Sequence, residues 1–308
     1  MSARRAPEGT LRAVVVTFNT KDLALDLLAD LGRELTRIPD SQIVVVDNAS
    51  SDGTADAVAV TYPDVDLRRL PENIGFGRAV NVGAKDAESG WILLVNPDAR
   101  IDVGAVSQLL DVAKAQPGHG LYGGQFIDVT RLTNEDSVAV LPTISNLVAY
   151  ATGLAPIMRR LGWRSPPRRM ASSPVTVEVD ALPGTFILAE VPAWREIGGF
   201  DERFFMYSED LDLCVRMGQS GRRPLYVPSA TLRHIGGASS TSGGKEVLKL
   251  RSLVTFMKTH WSPQRAAVGR ALLAAGVGLR RLARLPYRTP NGRWETAWRE
   301  RKCWLGGW

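Results

Sequence analysis

Within the first hundred residues the chain repeats one pattern, an aliphatic run that ends on a polar residue and is followed by apolar positions at helical spacing. Leu11 to Val16 leads into Thr17-Phe-Asn-Thr20, after which Leu23, Leu27, Leu28 and Leu31 mark one face of a helix over 21–35. Gln42 to Val46 is followed by the turn cluster Asp47-Asn-Ala-Ser-Ser-Asp-Gly53 and a short helix over 54–60. Val65 to Leu70 precedes the glycine turn Asn73-Ile-Gly-Phe-Gly77 and a helix over 78–87. Trp91 to Val95 reads as a strand covered on both faces, stopped at Asn96-Pro97 because proline has no N–H to give the ladder. Such alternation predicts right-handed βα units and a Rossmann-like half, within a mostly parallel mixed sheet flanked by helices. Thr17, Asp47 and Asp98 then stand at the carboxyl ends of strands and line one rim, the place where open α/β sheets bind ligands.

Each polar residue on that rim has a functional and a structural reading. Asp98 suits a carboxylate holding a divalent cation against a phosphate, or a turn aspartate capping a helix from Val103. Ser51 and Asp52 read as helix caps, whereas Asp47 stands several residues ahead of the helix it would cap. The Asn73–Gly77 turn lacks a P-loop lysine and misses the dinucleotide spacing, so its glycines serve equally to let a helix pack closely on the sheet. Arg78, opening that helix, is a candidate phosphate contact because anions favour helix N-termini. Much later, Glu209-Asp210 open a helix with Leu211, Val215 and Gly218 at helical spacing. The helix dipole favours acids there, but the aromatic strip from Phe204 to Tyr207 just ahead would raise a carboxylate's pKa and improve it as a base. His234, followed by Gly, Ser and Thr up to Thr241, fits either a structural hydrogen-bonder or a loop that closes over a ligand.

A length of 308 residues implies one to two domains, and 44% hydrophobic with 23% charged residues excludes disordered and fibrous classes. There is no apolar run of about 18 residues for a spanning helix, and the polar stretch Met1 to Gly9 has no signal-peptide core. Two cysteines, Cys214 and Cys303, make neither a disulfide framework nor a zinc site, which fits a reducing cytosol. Charge is uneven: residues 245–308 hold 14 Lys/Arg against 3 Asp/Glu, a balance of +11 that leaves −5 for residues 1–244. That asymmetry points to an anionic partner. Helical patterns over 247–261 and 264–284, with Arg265, Arg270, Arg280, Arg281 and Arg284 around Ala271 to Leu279, suit a helix lying in a membrane interface beside Trp294, Trp298, Trp304 and Trp308. They suit equally a helix docked on the preceding domain with a solvated basic face. No recognised motif links the charge to nucleic acid. Residues 134–169, irregular and basic near Arg164 to Arg169, read as a lid or binding segment, and further strands are expected over 175–179, 182–189 and 225–228.

Taken together, Val14-Val-Val-Thr-Phe-Asn19, Val44-Val-Val-Asp-Asn-Ala-Ser-Ser-Asp-Gly-Thr54, Glu72-Asn-Ile-Gly-Phe-Gly77, Leu94-Val-Asn-Pro-Asp98, Gly198-Gly-Phe-Asp-Glu-Arg-Phe-Phe-Met-Tyr-Ser-Glu-Asp-Leu-Asp-Leu213 and His234 closely resemble the family 2 glycosyltransferases of GT-A fold, particularly their bacterial rhamnosyltransferase-like branch. The resemblance covers residues 11–260 and implies a GT-A catalytic domain over 1–244, with a donor half over 11–115 and an acceptor half over 120–244, followed by a helical, basic segment over 245–308. It implies that Thr17 and Asp47 contact a pyrimidine base, with Asn19, Asn48, Asn73, Gly75, Arg78 and Asn96 completing the donor site. It further implies Mg2+ or Mn2+ held by Asp98 and His234, although Asn96 is neutral where the family has the first acid of an Asp-x-Asp motif. Asp210 is implied as the general base of an inverting transfer, with Glu209 orienting the acceptor. Expected partners are a nucleotide sugar, dTDP-rhamnose first, a polyprenyl-diphosphate-linked or other glycan acceptor, and an anionic membrane on the cytoplasmic side, with a homo-oligomer left open. Two other classes compete: a sugar nucleotidyltransferase, whose glycine-rich Arg/Lys loop is missing here, and a catalytically silent homologue serving as a membrane scaffold.

Overall fold

The computed structural model describes residues 10–88, 90–128, 137–154, 160, 173–234, 242–283 and 292–308. In chain order the described elements are β1 (Leu11–Thr17), α1 (Lys21–Leu35), β2 (Ser41–Asp47), α2 (Thr54–Thr61), β3 (Asp66–Arg69), α3 (Phe76–Ala84), β4 (Trp91–Val95), β5 (Ala99–Ile101), α4 (Ala105–Ala115), β6 (Leu121–Asp128), α5 (Ile144–Thr152), β7 (Val177–Glu178), β8 (Phe186–Glu190), α6 (Val191–Glu196), α7 (Glu209–Gln219), β9 (Leu225–His234), α8 (Ser242–His260), α9 (Pro263–Ala283), α10 (Arg293–Arg299) and α11 (Arg301–Trp304). They fall into two compact units. One comprises Met1–Val140, Pro166–Asp201 and Asp210–Ser239; the other comprises Leu141–Ser165, Glu202–Glu209 and Ser240–Trp308. Two stretches ahead of residue 245 thus join the C-terminal helices, where the sequence places a single cut at 244/245. Helix α7 begins at the division, with Glu209 on one side and Asp210 on the other.

The first unit is built on a nine-stranded sheet in the order β3-β2-β1-β4-β8-β6-β9-β5, with β7 paired to β9. Pairings β3/β2, β2/β1, β1/β4 and β6/β9 are parallel, while β4/β8, β8/β6, β9/β5 and β9/β7 are antiparallel. The sheet is mixed, as expected, but it is not mostly parallel: the Rossmann-like parallel course holds for the first four strands, and four of the eight pairings are antiparallel. Every residue of β1 and β4 is buried, as central strands covered on both faces require. Leu27, Leu28 and Leu31 of α1 are 0–1% exposed and pack with Val15, Val45 and Leu93 in one core. Helix α3 approaches the sheet through Gly83, where a Cβ would lie 2.5 Å from Val14 Cγ1 and 3.1 Å from Val46 Cγ2.

Two buried acids on α1 fix the segment after β4. Asp30 accepts from Arg100 Nε at 2.7 Å and from the Ile101 amide at 3.2 Å. Glu34 accepts from the Gly104 and Val106 amides at 2.7 and 3.2 Å, capping the N-terminus of α4. Because Glu34 supplies that cap and β5 intervenes, Asp98 is not the cap of the next helix, which begins at Ala105 rather than Val103.

The second unit has its own core of Leu147, Val254, Met257, Leu273, Val277, Ala297 and Trp304. Glycines make it possible: a Cβ on Gly276 of α9 would lie 2.5 Å from the Tyr150 ring of α5, and one on Gly269 would lie 2.5 Å from Met257 Sδ. The tryptophans read from sequence as interface-seeking rings have partners inside this unit. Trp304 is fully buried and donates from Nε1 to the Ala297 carbonyl at 2.6 Å, while Trp294 and Trp298 lie under Arg293 and Arg301 at 4.6 and 4.9 Å. Arg281 pairs with Glu295 and Arg293 with Glu246, so part of the basic charge is neutralised internally. Among the described residues no helix is long and apolar enough to cross a membrane.

Candidate active site

The rim begins where β1 and β2 end side by side. Thr17 and Asp47 are register partners, and the Thr17 hydroxyl donates to Asp47 Oδ1 at 2.9 Å with both side chains buried. Asp47 Oδ2 accepts from the Ser50 amide at 3.0 Å, which bends the chain back over the strand end. Asn48 joins this corner to the glycine turn: its Nδ2 donates to Asn73 Oδ1 at 2.9 Å and to the Gly75 carbonyl at 3.3 Å, and its Oδ1 accepts from the Ile74 amide at 2.9 Å. Asn73 Oδ1 also accepts from the Gly75 amide at 3.0 Å, and Gly75 takes φ +90, which a side chain would strain. Asn19 is exposed, yet its Oδ1 accepts from the Ser51 amide at 2.8 Å and so ties the loop after β1 to the loop after β2. Asp52 serves two helices, accepting from the Lys21 amide at 3.1 Å and the Thr54 amide at 3.0 Å. Burial pushes its carboxyl up, but these bonds and the Thr54 hydroxyl bring it below the ordinary value overall. Arg78 lies exposed in the first turn of α3.

The second half of the rim is organised by a segment that the sequence reading treats as plain strand. β8 runs antiparallel to β4, with Phe186 opposite Val95, so Gly184 and Thr185, just ahead of β8, arrive at the carboxyl end of β4. The Asn96 amide donates to the Thr185 carbonyl at 3.1 Å, and Asn96 Nδ2 reaches Thr185 Oγ1 at 3.5 Å. One residue earlier, the Gly184 amide donates to Asp210 Oδ2 at 3.1 Å. Asp210 Oδ1 accepts from the Leu211 amide at 2.8 Å. A Cβ on Gly184 would sit 3.5 Å from Asp210 Cβ and 3.6 Å from Phe76 Cε1, so the glycine turn, Asp210 and the end of β4 meet around one residue. Burial raises the Asp210 carboxyl pKa, and the bonds from the Gly184, Leu211 and Asp210 amides oppose the rise without cancelling it. Asp212, the next acid, is fully buried and held by Arg216 at 2.6 Å.

Asn96 Oδ1 is buried with no hydrogen-bond partner, and Asp98 lies two residues on in the Asn96-to-Ala99 turn. His234 ends β9 opposite Ala99 in backbone register; its side chain, like the loop over 235–241, lies outside the described residues. A carboxylate and an unsatisfied amide oxygen are hard donors that fit Mg2+ or Mn2+. Among the described residues no three His, Cys, Asp or Glu gather into a metal cluster, so a cation on these two donors would complete its shell from a bound diphosphate and water. The basic stretch 164–169 also lies outside the described residues.

Backbone strain marks the same segments. Of the five described non-glycine residues at positive φ, Asn19 and Ala49 stand on the rim and Tyr207 and Ser208 directly precede Glu209. Glu209 is buried at the start of α7.

The model of the family described as glycosyl transferase family 2 matches residues 13–145. An N-acetylglucosaminyl-diphospho-decaprenol L-rhamnosyltransferase of Mycobacterium tuberculosis is 32% identical over 240 residues, covering 73% of this chain and 75% of that protein. A rhamnosyltransferase of Escherichia coli K12 is 26% identical over 163 residues, covering 50% of this chain and 58% of its own length. Among solved structures, a mannosyltransferase from Pyrobaculum calidifontis in complex with GDP-Man and Mn2+ aligns with a TM-score of 0.55 at 17% identity, covering 99% of this chain and 88% of that one, which is a likeness of fold.

Proposed function

Because this chain belongs to glycosyl transferase family 2, we propose that it is an inverting glycosyltransferase that moves a sugar from a pyrimidine nucleotide to a polyprenyl-diphosphate-linked saccharide or another cell-envelope glycan. Rhamnose, the sugar in the name borne by the M. tuberculosis relative, is the first to test, offered as dTDP-rhamnose. The observation that carries the reading is the pairing across two adjacent residues: Gly184 holds Asp210, and Thr185 holds Asn96.

In this reading Thr17 and Asp47 face the base of the donor, and Asn19, Asn48, Asn73 and Gly75 shape the loop that receives its ribose and phosphates. Arg78 and Asn96 complete that donor site. Asp210, kept proton-hungry by burial, takes the proton of the acceptor hydroxyl as its oxygen attacks the anomeric carbon from the face opposite the leaving diphosphate. Inversion needs one base in line with the acceptor and no second carboxylate nucleophile. Glu209 orients the acceptor. Asp98 and His234, with the Asn96 amide oxygen, would hold Mg2+ or Mn2+, which would supply Lewis-acid stabilisation of the leaving diphosphate.

A lipid-linked acceptor calls for work at a membrane, on its cytoplasmic face. Helix α9 supports this. The side turned away from Gly269, Leu273 and Gly276 carries Val268, Leu279 and Leu282 at 50%, 46% and 56% exposure, together with exposed Ala271 and Ala275, and no charged residue. With the +11 balance of residues 245–308, this face is suited to an anionic bilayer surface. Leu279→Glu with Leu282→Glu should release the protein from phosphatidylglycerol vesicles, and undiminished binding refutes the assignment.

The main reading is tested by thermal shift of the purified chain against a panel of sugar nucleotides, with and without Mn2+, followed by transfer assays with the donor that stabilises it. Stabilisation by no pyrimidine nucleotide sugar refutes it.

A further inference from the structure

Residues 202–209, which run directly into Asp210, meet Trp308 within the second unit, and Lys249 Nζ stands 5.4 Å from the Tyr207 ring. The Trp308 indole Nε1 donates to Ser252 Oγ at 2.8 Å, and the Ser252 hydroxyl, fully buried, donates in turn to the Met206 carbonyl at 2.6 Å. The Trp308 ring lies 5.3 Å from the Phe205 ring at 40°, and the Arg251 guanidinium covers it at 3.8 Å. Trp308 and the two glycines before it are themselves fastened to α8. The Trp308 amide donates to Thr255 Oγ1 at 2.8 Å, Arg251 Nε donates to the Gly307 carbonyl at 3.0 Å, and Lys258 Nζ donates to the Gly306 carbonyl at 2.8 Å. Gly307 takes φ +74, and a Cβ there would stand 2.9 Å from Thr255 Oγ1, so the approach of this segment to α8 depends on glycine.

The two residues after Met206 are those in left-handed backbone, Tyr207 at φ 71 and Ser208 at φ 61. Neither has the glycine or asparagine character that tolerates this region, and such residues persist there only where their surroundings over-determine the conformation. The relay from Trp308 through Ser252 ends on the carbonyl that immediately precedes this pair. Packing alone would account for an apolar ring against Phe205. It does not account for an indole N–H relayed through a buried hydroxyl to one backbone oxygen.

We infer that Trp308 is a positioning residue: it holds the Phe205–Ser208 turn in its left-handed conformation and thereby sets where α7 starts, with Glu209 and Asp210 in its first turn. The inference rests on the reading of Asp210 as the base for its kinetic consequence, and on the contacts alone for its structural one.

Trp308→Ala and Trp308→Phe, made in the full chain, test it together with Ser252→Ala, which breaks the relay and leaves the ring. Hydrogen–deuterium exchange of peptides spanning 203–210 gives a readout independent of activity. Exchange there should rise about tenfold or more in Trp308→Ala, and less in Trp308→Phe, which keeps the ring and loses the donor. With a donor identified, kcat should fall about 10- to 10²-fold in Trp308→Ala while the donor KM stays within about twofold, the mark of a displaced base rather than a damaged donor site. Trp308→Phe should recover part of that kcat. Unchanged exchange in Trp308→Ala overturns the inference, as does raised exchange with undiminished kcat. If Trp308→Ala does not fold, Ser252→Ala and Trp308→Phe carry the same comparison. If the wild-type protein transfers no sugar, the proposed function fails, and exchange still decides whether Trp308 orders the turn.

Discussion

Replacing Asp210 with asparagine removes the proposed proton acceptor while keeping side-chain size. General-base catalysis contributes about 10²- to 10⁴-fold, so kcat should fall by that factor, equivalent to about 2.7–5.5 kcal/mol of transition-state stabilisation. The structure adds a second consequence. Asp210 Oδ2 and Oδ1 each accept one amide N–H, from Gly184 at 3.1 Å and Leu211 at 2.8 Å, and asparagine has one oxygen to offer the two. Its NH2 group must face a donor, leaving a buried N–H unsatisfied at about 1–3 kcal/mol. The proposed donor corner at Thr17 and Asp47 is built from other residues, so donor KM should stay near wild type. Burial raises the folded Asp210 carboxyl above its ordinary value of 3.8, and turnover needs the charged form, so wild-type kcat should fall as pH drops through that raised pKa. The asparagine variant should lose this acid limb. The sign for stability runs the other way. A carboxylate with a raised folded pKa contributes most below its unfolded pKa, and its contribution declines as pH rises through the folded value. The Tm of wild type relative to Asp210→Asn should therefore fall with rising pH in that window. Steady-state transfer assays across pH, paired with thermal melts of both proteins, measure all three effects. Near-wild-type turnover by Asp210→Asn with normal donor affinity refutes the base assignment.

Three further outcomes follow from contacts already described. Thr17→Val breaks the 2.9 Å bond to buried Asp47 and leaves Oδ1 without that donor; urea unfolding should show a loss of about 1–3 kcal/mol, and donor affinity should drop with it. Glu34→Ala strips the Gly104 and Val106 amides of their acceptor at the start of α4, costing about 1–2 kcal/mol in the same assay with no change in kcat. Gly276→Leu drives a side chain into the Tyr150 ring and should destabilise the helical unit by about 1–3 kcal/mol or more, seen as a lowered Tm or a separate early transition in calorimetry.

The parts of the fold legible in the sequence are those where one residue type repeats at a fixed period. The leucines of 21–35 predict α1 to the residue, and the aliphatic runs place β1, β2 and β4 within a position or two. Strand direction is another matter: Phe186 to Ala189 is equally aliphatic read either way, so the antiparallel course of β8 and the mixed sheet it creates are invisible to periodicity. β6 escapes because Gly123 and Gly124 lower its strand propensity. Both are required by packing, Gly123 against Leu182 and Gly124 against Phe186 and the Ala230 carbonyl at a break in register. At the rim, Thr17, Asp47, Asp98 and Asp210 are recognisable because acids and hydroxyls at strand and helix ends are conspicuous. Gly184 and Thr185 are not, because what they contribute is a backbone amide and a backbone carbonyl, which every residue type carries.

The neighbouring grips of Gly184 and Thr185 put the proposed proton acceptor, Asp210, and the proposed donor contact, Asn96, on a common ruler, one peptide unit long. For an enzyme working this way, enlarging the space at Asn96 to admit a bulkier sugar also shifts the point from which Asp210 hangs. Retuning donor choice by substitution at Asn96 therefore calls for a matching change on the α7 side, and single substitutions there should trade speed for breadth.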